Sequence, residues 1–85
     1  MSNNNSSENT TKTFNTSDLF LAAYLKGLDF EIQDIKKDKV KTIFVFKDNE
    51  KRKQLVLDFY NGKGSIEPLK FVRAWKELKG LVYNA

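Results

Sequence analysis

Eighty-five residues with 15 Lys and Arg against 11 Asp and Glu, a net charge of +4, 40% hydrophobic content and neither Cys nor His describe one small, mildly basic domain with no room for a second. Without His and Cys, Ser-His-Asp triads, thiol nucleophiles, disulfide frameworks and the usual zinc ligand sets are all excluded. The chain is therefore expected not to be an enzyme and to need no metal or cofactor.

The first 13 residues hold four Asn, three Ser and three Thr, with no cationic start and no apolar segment. They do not form a secretory signal, and residues 1–15 are read as a disordered tail ahead of a single domain at 16–85. The longest apolar run, Leu19 to Leu25, is seven residues, against the roughly 20 that a bilayer-spanning helix requires, so no membrane partner is expected. Absence of cysteine suits a reducing compartment, and the cytoplasm is the default location.

Thr16, Ser17 and Asp18 offer N-cap oxygens, and Gly27 offers a stop, which predicts a first helix over Leu19 to Lys26. Leu21, Leu25 and Leu28 recur at helical spacing, as do Phe20, Ala23 and Tyr24, so this helix is expected to be buried on more than one side. Phe30 and Ile32 then alternate with Asp29, Glu31 and Gln33, and Val40, Thr42, Phe44 and Phe46 alternate with Lys41, Ile43, Val45 and Lys47, which predicts two strands. The polar segment Lys36 to Lys39 joins them as an antiparallel hairpin. Ile35 falls out of phase, the mark of a bulge. Ile43 and Val45 give the second strand a second apolar face, which calls for cover by a helix or by another copy of the chain, and hence hints at a homodimer.

Asp48 or Asn49 can cap a second helix carrying Leu55, Val56, Phe59 and Tyr60 on one face, with Asn61-Gly62 ending it. Pro68 suits the first position of a third helix, with Phe71, Val72, Ala74, Trp75 and Leu78 inward and Lys70, Arg73 and Lys76 outward. Gly80 is expected to close it, leaving Leu81, Val82 and Tyr83 as a terminal segment. The predicted fold is α+β: helix, β-hairpin, helix, helix, an antiparallel two-stranded sheet packed on helices.

Thr16-Ser17-Asp18-Leu19, Ala22-Ala23-Tyr24-Leu25, Phe44-Val45-Phe46 with Asp48, Tyr60-Asn61-Gly62, then Pro68, Phe71, Leu78-Lys79 and Tyr83 form a pattern. It resembles a family of short domains of unknown function found in bacteria, archaea and their viruses, and the likeness covers Thr16 to Tyr83. The resemblance implies a viral, mobile-element or genome-maintenance setting, and it brings no catalytic or binding residues with it.

Charge is uneven. Lys36 to Lys53 holds eight basic and three acidic residues. Lys36, Lys37, Lys39 and Lys41 fall at the hairpin turn, and Lys47, Lys51, Arg52 and Lys53 fall near the opposite end of the second strand. Such a set attracts phosphate by counterion release. It equally serves as an edge guard against strand pairing with another chain. Lys70, Arg73 and Lys76 read as a solvated helix face. Tyr60 and Tyr83 read as packed rings with only the hydroxyl at the surface, and Trp75 as core. Asp29 and Glu31 would share a strand face and could hold Mg²⁺, but no third carboxylate is spaced to join them. Gly62-Lys63-Gly64 lacks the ending of a phosphate-binding loop and is read as a turn.

The function expected from these residues is a small non-enzymatic nucleic-acid-binding accessory or regulatory protein that contacts DNA or RNA phosphates through Lys36, Lys37, Lys39, Lys41, Lys47, Lys51, Arg52 and Lys53. The alternative is a protein-protein interaction module, an inhibitor or assembly factor, using the strand face with Ile43 and Val45 or the Leu81-Val82-Tyr83 end.

Overall fold

A computed structural model describes residues 12–84, and residues 1–11 of the expected tail lie outside the described part. The elements run β1 (Thr13–Thr16), α1 (Leu19–Gly27), β2 (Ile32–Lys37), β3 (Thr42–Lys47), α2 (Arg52–Tyr60) and α3 (Pro68–Asn84). This is an α+β fold, but the sheet has three strands in the order β1-β3-β2, both pairings antiparallel. The expected two-stranded sheet is thus corrected by β1, which pairs Thr13 with Lys47 and Thr16 with Phe44. The folded unit consequently begins inside what the composition suggested was tail.

Local chemistry accounts for the helix ends. Asp18 is the N-cap of α1, its Oδ1 accepting from the N–H groups of Phe20 at 2.9 Å and Leu21 at 3.1 Å, two of the donors a helix start leaves unsatisfied. The helix closes with a paired 6→1 and 5→2 motif, Phe30 N–H to the Leu25 carbonyl and Asp29 N–H to the Lys26 carbonyl. The left-handed residue it requires is Asp29, at φ 73°, where glycine is the usual occupant. Gly27 does a different job from the stop expected of it. A Cβ there would lie 2.5 Å from the Ile66 side chain and 3.3 Å from the Lys70 carbonyl oxygen, so its bareness lets α1 and α3 approach closely. α2 ends with the same motif, Lys63 N–H to the Asp58 carbonyl and Gly62 N–H to the Phe59 carbonyl, and here a glycine, Gly62, takes the positive φ.

Glu67 receives the N–H groups of Leu69 and Lys70 and Pro68 opens α3, as its missing N–H and fixed φ favour. The helix does not stop at Gly80. It continues through Leu81, Val82 and Tyr83, because Val82 packs against the core and that burial outweighs the roughly 1 kcal/mol that glycine costs inside a helix.

The core lies between the sheet and the helices. Leu21 to Leu25 of α1, Ala74 and Leu78 of α3, Phe30, and Phe44 and Phe46 of β3 form one buried cluster, edged by Leu55, Val56 and Phe59 of α2. α1 is buried along nearly its whole length, as its all-round apolar pattern required, except for Phe20, which is exposed. The bulge falls between Ile32 and Asp34, two residues ahead of the phase break at Ile35. Strand alternation turns Val45 away from Phe44 and Phe46, and it lies outside their cluster, yet it is only 6% exposed. Its rung neighbours are Asn15 and Asp34. The second apolar face of β3 is thus largely shielded within one chain and does not by itself call for a second copy.

Candidate nucleic-acid interface

The eight basic residues singled out by sequence fall into two groups at opposite ends of β3, about 17 Å apart at the strand rise of about 3.4 Å per residue. Lys36, Lys37, Lys39 and Lys41 sit at the β2–β3 turn. The turn lies two residues later than expected: β2 runs on to Lys37, so Lys36 and Lys37 are strand residues, and the loop is Asp38 to Lys41. Asp38 shapes it. Its Oδ1 accepts from the N–H groups of Val40 at 2.8 Å and Lys41 at 2.9 Å, and these two bonds hold its carboxyl below the ordinary value. Val40, expected as the first strand residue, instead stands at the tip with 89% of its surface exposed.

β1 reaches only as far as Phe44. Beyond that point the sheet is the two-stranded hairpin alone, its last rungs Lys36 opposite Ile43 and Lys37 opposite Thr42. The Lys37 ammonium donates to the Val82 carbonyl, anchoring the ribbon to the last turn of α3, where unsatisfied carbonyls favour a cation.

At the other end the basic residues are partly committed to structure. Arg52 makes a two-pronged pair with Asp48, Nε to Oδ1 at 3.0 Å and Nη2 to Oδ2 at 3.2 Å, and its guanidinium lies 4.5 Å from the Phe14 ring centroid. The Arg52 hydrogen bond is the main reason the Asp48 carboxyl sits below its ordinary value. Asp48 therefore braces the junction rather than capping α2. The cap position is Lys51, which makes no side-chain cap bond, while Asn49 Oδ1 receives the Lys51 N–H. Lys47, Lys51 and Lys53 are exposed. Among the described residues two ion pairs form, Arg52–Asp48 and Lys26–Glu77, and neither takes Lys36, Lys39, Lys41, Lys47, Lys51 or Lys53.

The remaining candidates separate as follows. Lys70, Arg73 and Lys76 are exposed on α3. Lys70 and Arg73 border a cleft of about 250 Å³ beside the end of α1 that also holds Lys26, Asp29 and Glu77, so its charge is mixed. Val72, expected inward, faces out with Leu69. Tyr60 and Tyr83 are not packed rings: they are 59% and 74% exposed. The Tyr60 hydroxyl donates to Asp18 Oδ2 at 2.8 Å, and partial burial together with that carboxylate raises its pKa above 10.0. Trp75 is half-buried at the core edge, with the Lys79 ammonium 4.7 Å from its ring. Asp29 lies in the turn ahead of β2 rather than on a strand face with Glu31. The two line a cleft with Asp48 and Lys47, but no group of three potential metal ligands is found among the described residues.

Sequence reasoning missed two features of this surface, the protruding Val40 and the Asp38 turn. The second was legible as Asp followed two and three residues later by the N–H groups it captures, the pattern of an Asx turn.

A family model described as a domain of unknown function (DUF5659) matches residues 11–84. No curated protein and no solved structure matches the chain.

Proposed function

We propose, for a chain that belongs to this family of unknown function, that the domain is a small non-enzymatic nucleic-acid-binding accessory protein that contacts phosphate through its exposed lysines. One observation carries the reading: six of the eight cations concentrated between Lys36 and Lys53 have no carboxylate partner among the described residues, although ten of the chain's 11 acidic residues lie within the described part. Unneutralised ammonium groups on a small surface release counterions when they meet a polyanion, and affinity then falls steeply with salt. The lysines form no identifiable base-reading code, so their contacts are assigned to backbone phosphate.

The test is a salt titration of the full chain against labelled DNA and RNA by fluorescence anisotropy. Binding should weaken by about 0.9 log units per log unit of salt for each duplex phosphate neutralised. A flat salt response, or no binding at low salt, rejects the reading.

A second reading rests on a different observation. Leu69, Val72, Leu81 and Tyr83 leave α3 with exposed apolar surface, and Phe20, Leu57 and Tyr60 do the same on α1 and α2. A protein-interaction module would use such surface, and its binding would respond little to salt.

A further inference from the structure

Three features set the β2–β3 tip apart from the rest of the basic surface. It protrudes past β1 as a two-stranded ribbon, since β1 pairs only with Phe44 to Lys47. From Lys36 to Lys41 it holds four cations and a single carboxylate, and that carboxylate is turned onto its own backbone N–H groups. Its apex is Val40, the most exposed large apolar side chain among the described residues. Elsewhere on the sheet the charge is more mixed: Asp34 stands opposite Val45, and Lys47 borders a cleft with Asp29, Glu31 and Asp48.

Resting on the nucleic-acid reading above, we propose that this tip enters the major groove of B-form duplex DNA, with Lys36, Lys39 and Lys41 reaching the flanking phosphates and Val40 meeting base edges. Strands spaced about 4.8 Å apart make a ribbon that, with side chains, fits a groove about 12 Å wide. Residues 36–43 contain no aromatic side chain, so the tip has no platform on which unpaired bases could stack, which disfavours single strands. The major groove of A-form RNA is too narrow and deep for such a ribbon. An exposed valine suits the thymine methyl groups that line the B-form major groove. The Lys37 bond to the Val82 carbonyl and the Asp38 turn hold the tip in shape before it binds.

The experiment compares three variants of the full chain, each checked by circular dichroism, on a short labelled DNA duplex: Lys39→Glu with Lys41→Glu, Lys51→Glu with Lys53→Glu, and Val40→Ser. The tip pair should weaken binding at least about tenfold and flatten the salt slope by about two units, while the opposite-end pair stays within about twofold. Val40→Ser should weaken binding about threefold with the salt slope unchanged, the signature of an apolar contact. Methyl green, a major-groove ligand, should displace the protein and netropsin, a minor-groove ligand, should not. Salt-dependent binding that survives the tip pair, or that prefers single strands or duplex RNA, overturns the tip assignment and leaves the broader reading standing. Absence of salt-dependent binding to any nucleic acid overturns both.

Discussion

The hairpin tip and the β3–α2 junction have similar compositions, each dense in lysine with an aspartate close by, and they use that aspartate in opposite ways. At the junction, Asp48 engages the Arg52 guanidinium with both oxygens, and Arg52 also covers the Phe14 ring, so charge is converted into a brace between β1, β3 and α2. At the tip, Asp38 spends its Oδ1 on backbone N–H groups, and among the described residues no ion pair takes Lys36, Lys39 or Lys41. The same residue types yield a joint in one place and an exposed basic turn in the other. What decides between them is whether the backbone or a cation reaches the carboxylate first.

Removing the Arg52 side chain should break this contrast most severely. Arg52→Ala loses a charge-assisted pair and a cation–π contact, and should lower unfolding free energy by about 2 kcal/mol in urea denaturation. Asp48→Asn tests the same brace through pH. The folded Asp48 carboxyl lies below its ordinary value of 3.8, so its contribution is complete above that pH and is lost as pH falls through the lower folded value. Wild-type stability should therefore drop as pH falls below about 4, and Asp48→Asn should start about 1 kcal/mol lower at neutral pH and show a shallower drop. A variant as steep as wild type would mean that Asp48 does not carry the acid sensitivity.

At the tip the expected effects are smaller and local. Asp38→Ala frees two N–H groups and should speed hydrogen exchange at Val40 and Lys41 while leaving core amides protected, whereas Asp38→Asn, which keeps an acceptor, should preserve the turn. Smallest of all, Lys39→Ala and Lys41→Ala should change stability by no more than about 0.5 kcal/mol, the range for surface positions without structural partners. A large loss there would mean that these lysines hold the fold together, and the contrast with Arg52 would disappear.

Much of the framework was legible because its signals are local. Asp18 ahead of an apolar run, Gly62 after α2, Pro68 at the head of α3 and the alternation through Phe44 and Phe46 all act within a few residues of themselves. Both groups of lysines also stood where hairpin geometry put them. β1 was not legible, since Thr13 to Thr16 offers one large apolar residue, Phe14. Its strand character arises from pairing with β3 and from the Arg52 side chain over that ring. Tyr60 and Tyr83 were misplaced for a related reason: helical phase says which residues share a side, and only the packing partners say how far round that side is covered.

Sequence alone determined the α+β class, the hairpin, the beginnings of α1 and α3 and the crowding of cations between Lys36 and Lys53. Each follows from backbone preference or from residue order, which needs no distant partner. Tertiary structure alone decided that a third strand closes the sheet, that α3 runs through Gly80, that Arg52 is a brace while no ion pair takes Lys39 or Lys41 among the described residues, and that Val40 crowns a ribbon. Those outcomes depend on which groups from separate segments come within hydrogen-bonding or van der Waals reach, and folding sets those distances.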